Sequence, residues 1–299
     1  AKADPEGYAI LSDVIMNVPG YGYRMRRFMD ESPYSVLVPQ IMYRHALNLF
    51  DAQDYVKAGE LLDQVAPTQI EKSQVDEYLF KKAYCELERG DVDRALLRFV
   101  ELEKRPISDY TAPAKYSIAY INYEKKNFFD ALGWFEKAAL DGRFTQMANY
   151  YIMECRFMLK DYAYVTAHAE EMYAAVPEDR RPHLARIISE SYLVLGDAES
   201  ARKYYDLNTS KNSTKSRADW FYSGSLLYAV EDYKGAIENY NMVTMRTDSI
   251  GQIANYHLGF SYIQTKNKVA AMQAFKDASV VSYDTGIAED AHFNYAKLA

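Results

Sequence analysis

Cysteine is nearly absent from this 299-residue chain: Cys85 and Cys155 are the only two. Two cysteines so far apart give neither a disulfide framework nor a thiolate metal cluster. Histidine is scarce as well. His45, His168, His183, His257 and His292 show no H-E-x-x-H or other metal-ligand spacing, so no metal site is expected. The carboxylates Glu170 and Glu171 that follow His168 belong to a solvated face. Basic runs are missing beyond Arg24, Arg26 and Arg27, and the formal charge is −7. Phosphate binding rests on clustered Lys and Arg, so nucleic acid is not an expected partner. No stretch holds 18 uninterrupted apolar residues, so no membrane span is expected. No charged segment leads into an apolar run as a secretory signal would, in a sequence that opens at Ala1 rather than Met. The thirteen glycines are scattered and never spell G-x-x-x-x-G-K-[ST]. Paired acids such as Asp91 and Asp93 fall where turns and helix caps need them. No catalytic constellation and no cofactor site remain, so the chain is not expected to be an enzyme.

Tyrosine, in contrast, is abundant, with 28 residues. Its apolar ring and polar tip suit half-buried surfaces and contact with partners. The abundance acquires meaning from a repeat. Ala58, Ala95, Ala131, Val165, Ala201, Ala236 and Ala271 are separated by 37, 36, 34, 36, 35 and 35 residues. Four residues after each stand Leu62, Phe99, Phe135, Ala169, Tyr205, Tyr240 and Phe275. Twelve residues before each stand Ala46, Ala83, Ala119, Met153, Ser189, Gly224 and Gly259. Small residues twelve apart let two helices of a hairpin approach closely, and the aromatic one turn later fills the space toward the next hairpin. A single hairpin cannot bury its apolar face alone, so neighbours must stack.

Prolines agree with this division. Pro39 and Pro182 are expected at the first position of a helix and Pro113 one residue in, where a missing N–H costs little. Pro33, Pro67, Pro106 and Pro177 fall between repeats. Before the first full repeat, residues 5–33 read as one degenerate hairpin around the turn Asn17-Val18-Pro19-Gly20, with Ala9 and Tyr21 in the small-pair register. At the other end, 288–299 reads as a first helix, with Ala296 in register and Phe293, Tyr295 and Leu298 as apolar surface. Its second helix is absent, which favours a piece of a longer chain over a capping helix. The polar run Asn208–Ser216 reads as a solvated loop and contains two Asn-x-Ser/Thr sequons.

The pattern resembles the tetratricopeptide repeat, which has a small eighth residue, Ala at its twentieth position and an aromatic at its twenty-fourth. The clearest copy runs from Trp220 through Gly224 and Tyr233 to Ala236 and Tyr240, and Gly90 and Gly196 fall in the turns between helices. Departures are His45, Lys82 and Ser223 at the usually apolar seventh position, and Val165 with Ala169 in the fourth copy. Cys85 and Cys155, at the tenth position, read as small buried hydrophobes. The resemblance implies an all-α, right-handed superhelical solenoid of antiparallel helix hairpins. Its parts would be a degenerate N-terminal hairpin over 1–38, seven repeats over 39–287, and the first helix of a truncated eighth repeat, or a cap, over 288–299. The degenerate, Tyr-rich style is similar to bacterial envelope tetratricopeptide proteins, which would place the chain in the periplasm or at the cell envelope.

In that family the first helices line a concave groove, with the second, fifth, ninth and twelfth positions of each repeat on one stripe. Carried onto this sequence, the stripe gives Tyr43 and Phe50, then Phe80 and Tyr84, then Tyr116, Tyr120 and Tyr123. Tyr150 and Phe157, Phe221 and Tyr228, and Tyr256 and Phe260 continue it. All of these rings except Phe50 are the candidate partner-binding residues, although the family already favours aromatics at several of these positions for packing. The fifth copy interrupts the stripe with His183, Arg186, Glu190 and Leu193. A clamp for a C-terminal carboxylate would need Lys and Asn at the fifth and ninth positions, and Arg186 is the only cation there. The expected function is a non-catalytic scaffold that binds a protein or peptide partner. Alternatives are a sensory or docking segment of a larger signalling protein or enzyme, an RNA-binding helical repeat, or a carbohydrate-binding surface. Neither the oligomeric state nor the partner's identity can be read from the residues.

Overall fold

The computed structural model describes residues 4–207, 215–243 and 247–299, so the polar run that carries the two sequons lies mostly outside the described residues. The chain divides into two compact units, Ala1–Cys155 and Arg156–Ala299. Among the described residues there are eighteen α-helices, three short 3-10 turns and no strand.

The first unit opens with α1 (Pro5–Ile15) and α2 (Tyr21–Glu31). Three hairpins follow. They are α3 (Val38–Asp51) with α4 (Tyr55–Asp63), α5 (Val75–Glu88) with α6 (Val92–Glu103), and α7 (Thr111–Glu124) with α8 (Phe128–Ala138). The unit boundary falls within α9 (Thr145–Met158). The second unit continues with α10 (Tyr162–Ala167), α11 (Ala169–Ala175), α12 (Arg181–Val194) and α13 (Ala198–Leu207). It closes with α14 (Arg217–Ala229), α15 (Tyr233–Asn241), α16 (Ser249–Gln264), α17 (Lys268–Ser279) and α18 (Thr285–Leu298). Within each unit, first helices pack on their own second helices. Those second helices pack on the next first helix, α4 on α5 and α6 on α7 in one unit, α13 on α14 and α15 on α16 in the other.

All seven anchor residues, Ala58 through Ala271, are fully buried. Their small counterparts Ala46, Ala83, Ala119, Ser189, Gly224 and Gly259 are buried too, as is Met153, the one large residue at this position. The role of the following aromatic is more local than the spacing suggested. A Cβ at Gly224 would stand 2.7 Å from the Tyr240 ring, and one at Gly259 would stand 2.6 Å from the Phe275 ring. Each ring therefore lies over the backbone of its own hairpin's first helix. Only its tip reaches onward, as where the Tyr240 hydroxyl meets His257 Nδ1 at 2.8 Å. Burying such a ring is worth roughly 2–3 kcal/mol relative to leaving it in water. In the fifth copy Tyr205 is half-buried and Tyr204 takes the buried place.

The hairpin turns follow one recipe. Five residues before each anchor the backbone enters the left-handed region, at Gln53, Gly90, Lys126, Lys160, Gly196, Glu231 and Lys266. The next residue is always Asp or Asn. Asp54, Asp91, Asp161, Asp197, Asp232 and Asn267 each accept the backbone N–H three residues on, which caps the second helix. Asn127 stands at the same place without that bond.

Several expectations need correction. Pro39 and Pro182 occupy the second rather than the first helical position. Ala9 is exposed, and Gly7 is the small residue of the first hairpin, since a Cβ there would meet Leu37 at 2.7 Å and Phe28 at 2.8 Å. α1 is 11 residues long where the first helix of the next hairpin has 14, which shifts the register. The last helix begins at Thr285 rather than 288, with Ala291 as its buried alanine, while Ala296 and Phe293 face solvent. In the fourth copy, which lacks the Ala and the aromatic, the second helix breaks at His168 into α10 and α11.

Candidate functional site

The polar residues at the seventh position explain how the framework tolerates them. The Lys82 ammonium is buried and donates to the Leu62 carbonyl at 3.0 Å, with Asp63 at 3.2 Å. His45 bonds the Tyr21 hydroxyl at 2.7 Å, and Ser223 accepts from Tyr205 at 2.9 Å. Each polar group has a partner, as burial requires. Cys85 and Cys155 are buried free thiols, pushed up to about 11 and about 12 by burial, so neither is a ready nucleophile. No group of three His, Cys, Asp or Glu able to hold a metal occurs among the described residues.

The expected aromatic stripe forms two linked ring sets in the first unit. Phe50 lies 5.4 Å from Tyr84, and Tyr55 on α4 closes a triangle with both at 5.2 Å. Phe80 joins Tyr84 to Phe99 and Tyr110. A native cation belongs to this set: Lys81 Nζ stands 4.5 Å from the centre of the Phe50 ring and pairs with Asp51 at 2.9 Å. Glu77 lies 3.9 Å from the same ammonium and accepts the Tyr43 hydroxyl at 2.9 Å.

The second set is built from α7, α8 and the part of α9 before the boundary. Tyr120 stacks on Tyr123 with planes 23° apart. Tyr151 touches Tyr116, Tyr120, Tyr123, Phe135 and Tyr150, at centroid distances from 4.9 to 6.3 Å. Beneath these rings lies Glu154, buried, with one oxygen accepting from Tyr123 and the other from Tyr150, both at 2.9 Å. Burial and the Glu154 carboxylate together push the Tyr123 phenol well above its usual range. Burial, then Glu88, takes Tyr84 up to about 12. Burial, then Glu77, does the same to Tyr110. These phenols stay protonated and act as donors at any physiological pH.

In the second unit the rings are more dispersed. Phe157 pairs with Tyr162. Phe221, Tyr228, Tyr256 and Phe260 gather around His257, Tyr240 and Phe275 on α15 to α17. The charged interruption closes on itself: Arg186 pairs with Glu190 at 3.2 Å and Asp219 at 3.7 Å.

Of the twelve candidate residues, Tyr120 alone is exposed, at 36%. Nine are half-buried: Phe80, Tyr84, Tyr116, Tyr123, Phe157, Phe221, Tyr228, Tyr256 and Phe260. Tyr43 and Tyr150 are buried, at 0% and 4%, and their rings pack the interior. Sequence spacing missed Tyr151, because it stands at the sixth position of its repeat, outside the stripe. The run Tyr150-Tyr151 was its only signal.

Paired antiparallel helices with residues buried at their crossing, an aromatic lid on most of them and a left-handed turn between them define the architecture. The fold is tetratricopeptide-like. No family model matches the chain, and no curated protein does. Among solved structures it is similar to a tetratricopeptide repeat protein from Parabacteroides merdae, at 14% identity and TM-score 0.49, over 86% of this chain and 98% of that one. It is also similar to PilW, a widely conserved type IV pilus biogenesis factor, at 16% identity and TM-score 0.49, over 72% and 97% of the two chains. The TPR2AB domain of yeast Sti1, solved in complex with pHSP90, aligns at 16% identity and TM-score 0.34, over 87% and 98%.

Proposed function

We propose that this chain is a non-catalytic interaction module that holds a protein segment, as an extended peptide or a helix, against the ring-lined face of its first helices. Seven hairpins over 39–287 supply the repeating frame. The observation that carries the reading is the set around Tyr120. A ring 36% exposed is held by stacking on Tyr123 and by edge contact with Tyr151, so it presents a fixed face at little entropic cost. The half-buried rings Tyr84, Phe80, Tyr116 and Tyr123 extend that face along α5 and α7. Polar tips among apolar rings suit a partner whose backbone must keep its hydrogen bonds.

Truncation of a central, well-packed anchor removes about 2 kcal/mol or more of binding. The variant Tyr120→Ala is therefore expected to weaken a peptide selected on the wild-type chain by roughly thirtyfold. Circular dichroism is expected to show an intact fold, because the buried anchors Ala119, Ala131 and Phe135 of that hairpin are untouched. Unchanged affinity in a folded Tyr120→Ala protein would refute the proposal.

A further inference from the structure

The linker between α2 and α3 raises one tyrosine clear of the surface. Tyr34 is 98% exposed, and the turn that carries it is held in place. The Ser35 N–H donates to the Ser32 carbonyl at 3.0 Å, and the Ser35 hydroxyl donates to Asp4 at 3.3 Å. Pro33 and Pro39 stiffen the chain on either side. Beside this turn lies a recess of about 620 Å³, bounded by the start of α3, the end of α4 and the 3-10 turn Pro67–Gln69. That volume falls in the range of small-ligand sites. Its lining is wholly uncharged. Tyr34, Val36 and Met42 supply apolar surface, and three glutamine amides supply polar groups. Two of these amides are tethered at one end. Gln64 Nε2 donates to the Glu60 carbonyl at 3.1 Å, which leaves Oε1 as an acceptor. Gln69 Oε1 accepts from the Ala66 N–H at 2.8 Å, which leaves Nε2 as a donor. Gln40 brings both kinds of group. A purely apolar occupant would strand these amide ends, and an ion would find no opposite charge to pair with. A second hollow of about 410 Å³ shares Tyr34 and adds Asp4 and Glu31, which disfavours an acidic occupant.

We infer that this recess binds a neutral sugar, as a mono- or disaccharide unit. A sugar ring has a flat face of C–H groups that suits the ring of Tyr34. Each of its hydroxyls both donates and accepts, so it meets Gln64 Oε1 and Gln69 Nε2 alike. None of the twelve candidate rings lines the recess, so the site stands or falls independently of the first-helix face.

The test is saturation-transfer NMR of the whole chain with maltose, cellobiose, lactose and diacetylchitobiose as neutral probes. Sialyllactose serves as the acidic counterpart of lactose, and a capped Gly-Pro-Gly peptide as an uncharged probe that is not a sugar. Transfer to at least one neutral disaccharide is expected, with no gain for sialyllactose over lactose and none to the peptide. Tyr34→Ala is expected to weaken the bound sugar about tenfold and Tyr34→Phe to keep it, because the ring face makes the contact. Gln69→Glu keeps the oxygen that holds the Ala66 N–H and loses the free donor. It is expected to weaken the sugar about fivefold while circular dichroism stays unchanged. No transfer to any neutral disaccharide would overturn the site, and transfer to the peptide alone would overturn the sugar chemistry. A sugar bound as tightly by Tyr34→Ala or by Gln69→Glu as by the wild type would overturn its assignment to this recess.

Discussion

The two units share a frame and use it differently. In the first unit the small residue of each full hairpin is Ala46, Ala83 or Ala119, facing Leu62, Phe99 or Phe135. In the second, Gly224 and Gly259 lie under Tyr240 and Phe275, whose rings sit where a methyl group would otherwise be. The same turn edge differs as well. Asp51-Ala52, Glu88-Arg89 and Glu124-Lys125 give the first unit a mostly polar rim, where three of the second unit's four turns carry Met158-Leu159, Val194-Leu195 and Ala229-Val230 and the last carries Gln264-Thr265. Both units nevertheless keep the buried anchor, the left-handed turn residue and the Asp or Asn that follows it. A few positions thus fix the hairpin, and the remainder are free to differ in surface chemistry. The first unit spends that freedom on linked rings with carboxylates among them.

Opposite exchanges at equivalent small sites break the comparison most sharply. Gly259→Ala is expected to destabilise by about 2 kcal/mol, because overpacking against Phe275 outweighs the roughly 1 kcal/mol that Ala gains in helix propensity. Ala119→Gly is expected to lose about 1 kcal/mol through propensity alone. Urea midpoints measure both, and a stabilised Gly259→Ala would mean that the ring is not seated on the helix backbone. Ala131→Leu, at an anchor, is expected to cost about 1–3 kcal/mol, and a neutral result would mean the hairpin contact lies elsewhere.

The next effect concerns a pair that both units contain, a tyrosine hydroxyl on a histidine Nδ1: Tyr21 with His45 at 2.7 Å and Tyr240 with His257 at 2.8 Å. Burial lowers His257 from its ordinary 6.5 to about 4. Burial, and then Arg26, lowers His45 in the same direction. The folded state therefore refuses a proton that the unfolded chain accepts below pH 6.5. Stability is complete above that pH and falls as the pH drops toward 4. For the half-buried His257 ring the loss is about 2 kcal/mol once the part facing solvent is allowed for. Denaturation of His257→Gln is expected to show a shallower decline over this window than the wild type, and identical slopes would remove His257 as the cause.

The smallest effect lies in the turns. Lys126 holds the left-handed conformation that Gly90 adopts freely in the preceding hairpin. Lys126→Gly is expected to raise stability by about 0.5 kcal/mol and Gly90→Ala to lower it by about 1 kcal/mol. Thermal melts of the pair sharpen how much of each turn is set by its residue rather than by the helices it joins.

The hairpin frame was legible in the sequence because it depends on side-chain volume, which spacing reveals directly: every anchor from Ala58 to Ala271 is buried. The terminal helices were misregistered at Ala9 and Ala296 because the interval was carried past the full hairpins that set it. The binding face was only half legible. Spacing placed Tyr43 and Tyr150 on the stripe, yet both rings are buried, and depth depends on neighbouring helices rather than on period. Tyr151 escaped notice for the converse reason, because five rings converge on it from three helices. The Asp or Asn caps repeat as faithfully as the anchors, from Asp54 to Asn267; the sequence offered a capping role for Asp91, and the hydrogen bonds extend it along the series.

Amide hydrogen exchange of the whole chain, with and without a peptide selected on it, tests most directly whether the first helices carry the binding face. Slowed exchange concentrated in α5 and α7, around Tyr84 and Tyr120, is the expected outcome. Protection confined to second helices such as α6 and α8, or to the turns, would contradict it.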